Sequence, residues 1–340
     1  MEISVHKKEK RDNNKALAFF QHVFSVENFN KLKNWAWVLF RTILLIGLSF
    51  VILYPILLKL SISIRHKDDL YDPTVVFIPK TFTLENFQYV WETMNYPRIL
   101  LNTVLLAGIT MLITTFICAI TGYGFARFNF KGKNLLFACV IFTLLVPPQT
   151  IMVPTYLNYR DFDLFGIIRL FNNGQGINLI GSFWPFIISC LTGMGIKSGL
   201  FIFIFRQFFK QFPKEIEEAA EVDGAGPFKT FFIVMLPNAV PAIITVMLFA
   251  FVWQYNDTYF TTMFLETASV MSTQLQTVSA TIYHKLNTTL GAGGVGAVDP
   301  FYLSMLLNTS VMLAILPLII MYLFVRRYFV ESVERTGIVG

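Results

Sequence analysis

Residues Pro213 to Pro237 read PKEIEEAAEVDGAGPFKTFFIVMLP, an acidic, polar island between two strongly apolar runs. Glu215, Glu217, Glu218, Ala219, Ala220 and Glu221 are good helix formers. They follow a proline suited to a first helical position, and their carboxylates stand near the positive end of the helix dipole. A short exposed helix is therefore predicted here. Gly224, with Gly226 and Pro227 after it, ends that helix and turns the chain into a second short helix leading back to apolar sequence. The first helix is acidic on one side and carries Ile216, Ala219, Ala220 and Val222 on the other. That pattern suits docking into a partner's groove, and it equally suits a solvated loop helix.

The flanking runs belong to a membrane protein. Of 340 residues, 55% are hydrophobic and only 14% charged, and the mean hydropathy is +0.58, far from a soluble composition. A helix needs roughly 20 apolar residues to cross a hydrocarbon core about 30 Å thick. Six runs qualify, near 36–62, 99–126, 135–157, 183–209, 238–260 and 302–325. The fold class expected is thus all-α, with six transmembrane helices. The domain plan is an N-terminal arm over 1–34, a transmembrane domain over 35–330 with the polar loop at about 210–237, and a C-terminal tail over 331–340. The polar, basic arm lacks a short charged stub followed by a small-residue cleavage site, so a cleaved signal peptide is not expected.

An even number of spans places both termini on one side, and the Lys/Arg distribution identifies that side. One set of segments holds Lys7, Lys8, Lys10, Arg11, Lys15, Lys31, Lys33, Arg127, Lys131, Lys133, Arg206, Lys210, Lys214, Lys229, Arg326, Arg327 and Arg335. The other holds only Arg65, Lys67, Lys80, Arg98, Arg160, Arg169 and Lys285. Both termini and the loop at 210–237 are therefore expected in the cytoplasm, and the segments at 63–97 and 261–301 outside. The net charge of +6 reflects this topology. The basic residues form no patch interleaved with stacking aromatics, so no nucleic-acid partner is expected.

Several chemistries are absent from the sequence. Cys118, Cys139 and Cys190 lie inside apolar runs without CxxC or Cys/His spacing, and are expected as buried thiols rather than metal ligands. The glycine-rich stretch from Gly291 to Gly296 is followed by no Lys-Ser/Thr and reads as a flexible linker. GxxxxGK[ST] occurs nowhere, so any ATP chemistry belongs to another chain. No catalytic or metal site is expected.

The segment Pro213 to Pro237 closely resembles the EAA loop of ABC importer permeases, whose pattern is Glu-Ala-Ala, three residues, Gly, nine residues, Ile, one residue, Leu-Pro. Glu218, Ala219, Ala220, Gly224, Leu236 and Pro237 match at that spacing, with Val234 in place of Ile. The likeness covers roughly residues 35 to 330 and narrows to carbohydrate-uptake permeases similar to the maltose-transporter permease MalG. IPKTFTLENF at Ile78 to Phe87, Asn102-Thr103, Ala126-Arg127-Phe128, Lys131-Gly132, the prolines 147, 148 and 154 with Tyr156, and RQFFKQFPKEIEEAA from Arg206 all carry it.

The resemblance implies a type I ABC importer permease fold in a bacterial cell membrane, multi-pass and non-catalytic. It implies half of a carbohydrate pathway, paired with a second, different permease. Two ATP-binding subunits would use ATP and Mg, and an extracellular solute-binding protein would deliver the solute. Glu218, Ala219, Ala220 and Gly224, and more loosely Asp223, take the role of the coupling helix that sits in a cleft of the ATPase. Asn256 and Asp257 match a Trp-Asn-Asp signature in which Tyr255 replaces Trp. These polar groups either cap the helix and bond its neighbours or line the sugar path. Trp253 and Tyr255 either stack on a pyranose or belong to an interfacial aromatic belt.

Two departures stand out. The tail ends SVERTGIVG, unlike the family's Gly-Leu-Thr-Ala-Gly-Ala-Val-Lys-Gly, which weakens any inference of its docking on the ATPase. Lys197, between Gly193, Gly195 and Gly199, marks either a pathway or a snorkelling cation at a helix break. The competing class is an ion-gradient-driven secondary transporter, which would need carboxylates or histidines within spans. Asp257 is the only acid close to a span interior, while His66 and His284 fall in external loops.

Overall fold

The computed structural model describes residues 26–75, 77–265, 270–289 and 298–337. Residues 1–25 of the arm, the stretch Gly291 to Gly296 and residues 338–340 of the tail lie outside the described residues. The chain divides into two units, Met1–Ser61 and Ile62–Gly340.

The first unit is dominated by α1, Val26–Ser63, whose apolar side chains from Trp35 to Leu57 are largely exposed around the whole helix. A helix apolar on every side is stable in hydrocarbon, not in water. No glycine or proline separates residues 26 and 40, so the boundary expected at residue 34 falls inside continuous helix.

Within the second unit the helices, in chain order, are α2 (Glu85–Met94), α3 (Tyr96–Arg127), α4 (Lys133–Phe142), α5 (Pro148–Arg160), α6 (Ile167–Phe171), α7 (Trp184–Leu191) and α8 (Ser198–Gln211). They continue with α9 (Glu215–Val222), α10 (Pro227–Thr230), α11 (Leu236–Asn238), α12 (Val240–Asn256), α13 (Tyr259–Phe264), α14 (Met271–Thr289) and α15 (Pro300–Gly337). Among the described residues there is no strand, only isolated bridges at Arg65–Phe82 and Phe162–Ile177.

Among the described residues, three helices are long and apolar enough to cross a membrane alone: α1 over Lys33–Ser63, α3, and α15 over Pro300–Arg327. A fourth crossing results if α12 and the segment Pro227–Asn238, bent from each other by 78°, count as one. The runs at 135–157 and 183–209 are not single helices. Pro147 and Pro148 stop the first between α4 and α5, because a proline restricts the residue before it and supplies no N–H. Gly193 and Lys197, both with left-handed backbone, stop the second between α7 and α8.

The core is built around α3, which packs against α8, α12 and α7. A Cβ at Gly122 would lie 2.5 Å from Cβ of Phe205 and 2.9 Å from the backbone N of Arg206, so only glycine allows α3 and α8 to cross this closely. Behind that crossing lies a cluster including Phe201, Phe205, Phe209, Met235 and Val246, all fully buried. A second cluster joins α2, α3, α12, α14 and α15 through Met94, Ile99, Ile282 and Leu306. The segment at 261–301, expected as an external loop, contributes a packed helix, α14. Cys118 and Cys190 are buried, but Cys139 is exposed, because α4 has no buried residue and turns that side outward.

Candidate functional site

Helix α9 begins two residues beyond the position suggested by Pro213, with Lys214 at its N-cap and no side-chain cap. Glu215, Glu217 and Glu218 occupy its first turn, where the helix dipole favours negative charge. Its other end is closed by two backbone bonds, from the N–H of Ala225 to the carbonyl of Ala220 and from that of Gly224 to Glu221, each 2.9 Å. This is a Schellman cap, and it requires the left-handed conformation that Gly224 adopts at φ 78°. The chain then runs through α10 into a π turn at Phe231–Met235, where the Leu236 N–H reaches back to the Phe231 carbonyl. Pro237 has no N–H for the carbonyl four residues earlier, which accounts for the widened turn and the sharp bend into α12.

The underside of α9 is fixed to the bundle. Arg127, in the last turn of α3, donates through its guanidinium to the Phe212 carbonyl at 2.8 Å. Its Nε lies 3.2 Å from Oε1 of Glu217, with the two side chains only 8% and 16% exposed. That N–H is not aligned on the carboxylate, so the contact is coulombic rather than a hydrogen bond. Ala220 is buried and Ile216 half-buried on the same side. Beneath them Tyr123 packs against Phe128, Phe209 and Phe231 with ring centroids 5.0 to 5.7 Å apart. The Arg127–Glu217 pair was not anticipated from the sequence. Its signals were an arginine in the last turn of an apolar helix and a glutamate just before the Glu-Ala-Ala triplet.

The upper side faces outward. Glu218, Ala219, Asp223, Gly224 and Pro237 are exposed, while Leu236 is half-buried. Val222 is 87% and Phe228 80% exposed, and they add two large apolar groups to this face. Of the residues singled out beforehand, Glu218, Ala219, Asp223 and Gly224 therefore share a surface. Ala220 and Leu236 point to the core, and Pro237 shapes the bend.

The four residues near the end of α12 are arranged otherwise. Pro317 within α15 supplies no N–H to the Leu313 carbonyl, and the Tyr96 hydroxyl donates to it at 3.0 Å. The Tyr255 hydroxyl donates to the adjacent carbonyl of Ala314 at 2.8 Å, and Tyr255 is buried. Asp257 stands two residues before α13, its carboxylate accepting from the backbone N–H of Thr261 in the first turn at 2.8 Å and from that residue's hydroxyl at 2.7 Å. Asn256 is exposed, and its amide donates to the Val252 carbonyl at 2.9 Å. Trp253 packs on Phe201 and Phe249 and carries the Lys197 ammonium 5.8 Å from its ring centroid. Lys197 itself is exposed, with φ 58° at the N-cap of α8.

Comparison with known proteins gives this geometry a family. Residues 116–335 match the binding-protein-dependent transport system inner membrane component family. Protein LplC of Bacillus subtilis is 27% identical over 286 residues, spanning 84% of this chain and 89% of that protein. The arabinooligosaccharides transport system permease protein AraQ of the same organism is 26% identical over 308 residues, or 88% and 95% of the two chains. The melibiose/raffinose/stachyose import permease protein MelC, also of B. subtilis, is 26% identical over 288 residues, or 84% and 91%. A chain from the crystal structure of a bacterial ABC transporter involved in the import of the acidic polysaccharide alginate superposes with TM-score 0.67, covering 87% of this chain and 98% of that one. At 20% identity this last match shows the fold, that of a type I ABC importer permease. Since the family match takes in most of the chain, including α9 and its floor, this protein belongs to the inner membrane components of binding-protein-dependent ABC importers, non-catalytic permease subunits whose ATPase is a separate subunit.

Proposed function

We propose that this chain forms half of the pathway of an ATP-driven importer for a sugar or oligosaccharide, and that α9 couples it to the ATPase. The carbohydrate class rests on the names of AraQ and MelC. The coupling role rests on one observation above the rest: α9 exposes Ala219, Val222, Glu218 and the nearby Phe228 while its underside is pinned to α3 through Arg127 and Glu217. Exposed apolar groups on a firmly seated short helix are what a protein groove binds.

In this reading the chain crosses the membrane six times, with α4–α5 and α7–α8 as broken spans and both termini in the cytoplasm. A second, different permease completes the pore. Two ATP-binding subunits hold ATP and Mg beneath it, and a solute-binding protein delivers the sugar outside. Closure of the ATPases moves α9, and the Arg127–Glu217 contact passes that motion directly into α3. At the other end, exposed Asn256 and half-buried Trp253 face the solute path, whereas Tyr255 and Asp257 hold the helices that form it.

The test is ATPase activity of the co-expressed complex reconstituted with its binding protein, with assembly followed by pull-down. Glu218→Ala combined with Gly224→Pro removes an outward contact and the Schellman turn together. Solute-stimulated hydrolysis is expected to fall to the unstimulated rate, or the ATPase to be lost from the complex. Full assembly, hydrolysis and uptake in the double variant would refute the coupling role.

A further inference from the structure

A second charged surface, away from the face that α9 presents, is left unused by the coupling role. A cleft of about 400 Å³ opens between the α3–α4 connection and the last turns of α8, lined by Asn129, Lys133, Asn134, Leu135, Arg206 and Lys210. Two separate elements bring three cations to it. Among the described residues none of the three forms an ion pair with a carboxylate.

Lys133 donates to the Phe128 carbonyl at 2.7 Å, which holds its ammonium in place without neutralising it. Arg206 stacks its guanidinium 3.8 Å from the centroid of the Phe137 ring, and its Nε is buried without an acceptor. A stacked guanidinium still presents its outer edge as a planar fork suited to phosphate oxygens. The first turn of α4 opens at the same place, behind Gly132 and with no side-chain cap, adding backbone donors and the positive end of a 10-residue helix.

The surroundings distinguish a lipid from a free anion. Leu135 is 71%, Leu136 52% and Phe130 43% exposed at the rim, and α4 beyond them has no buried residue. A cluster of cations beside an outward-facing apolar helix fits a molecule with a phosphate head and acyl chains.

The geometry points to a binding site for the headgroup of an anionic phospholipid of the inner leaflet, with Lys133, Arg206 and Lys210 on the phosphate and α4 along the chains. The leaflet rests on the topology proposed above; the headgroup chemistry does not. Lys133 is half-buried and Lys210 exposed, so both tolerate substitution.

The full chain, purified in detergent with equal phosphatidylglycerol and phosphatidylcholine, is compared by native mass spectrometry with Lys133→Gln/Lys210→Gln. Phosphatidylglycerol affinity is expected to fall about fivefold for each cation removed, with phosphatidylcholine unchanged. A Lys67→Gln/Arg98→Gln control is expected to retain the lipid. Equal retention by the cleft variant and the parent would overturn the site. Displacement of the lipid by excess inorganic phosphate would overturn the lipid assignment in favour of a free anion. Sidedness is read separately by labelling Asn129→Cys, in a Cys139→Ser background, with an impermeant maleimide in right-side-out vesicles. Protection there is expected. Labelling from outside would overturn the topology and the leaflet, while the retention experiment still judges the headgroup site.

Discussion

Helix α9 and the far end of α12 both carry short motifs of polar, small and aromatic residues, yet the fold treats them in opposite ways. On α9 one polar residue, Glu217, is turned inward against Arg127, and that contact frees Glu218, Ala219 and Val222 to face outward. At the end of α12, the Tyr255 hydroxyl bonds an α15 carbonyl and the Asp257 carboxylate accepts from the first turn of α13. A motif residue is available to a ligand or partner only if its own chain has not already satisfied it, because a buried polar group held by internal bonds is costly to release.

The largest expected effect tests the seat of α9. Arg127→Ala leaves the Glu217 carboxylate nearly buried without its cation, and should cost about 3–5 kcal/mol in thermal unfolding of the detergent-solubilised chain. Arg127→Ala/Glu217→Ala should recover most of that loss. A double variant as unstable as the single one would mean that the pair does not hold α9, and the contrast between the two regions would fail on its stronger side.

A smaller effect tests the other region. Tyr255→Phe removes one buried donor and should lower stability by about 1 kcal/mol with uptake otherwise retained. Uptake lost at unchanged stability would instead move Tyr255 onto the solute path.

The smallest change in stability is the sharpest test of exposure. Val222→Ser should stay within about 0.5 kcal/mol of the parent, since the residue is almost fully exposed. The same variant should lose solute-stimulated ATPase activity in the assembled complex. Unchanged activity would reduce the outward face of α9 to a solvated surface.

Much of α9 was legible because its determinants are local. Helix-forming glutamates and alanines, a glycine at the turn and a proline before the next helix act within a few residues of one another. The three long apolar helices were legible from run length alone. The breaks were less so: glycines around Lys197 hinted at one, but Pro147-Pro148 sits in a run apolar enough to read as continuous. Exposure of Cys139 was hidden for a related reason, since α4 is apolar on all sides and its sequence does not say which one meets protein.

The sequence by itself determined the medium, the family and the short acidic helix proposed to meet the ATPase, all of which depend on composition and close spacing. Only the tertiary structure decided which residues of that segment remain free. It joined Arg127 to Glu217 across 90 positions of sequence, set Tyr96 and Tyr255 on neighbouring carbonyls near Pro317, and gathered Lys133, Arg206 and Lys210 at one cleft. Charges and hydroxyls so distant along the chain meet only when helices cross. Where α3 and α8 cross is set by the missing Cβ of Gly122, a constraint that becomes visible once its neighbours are in place.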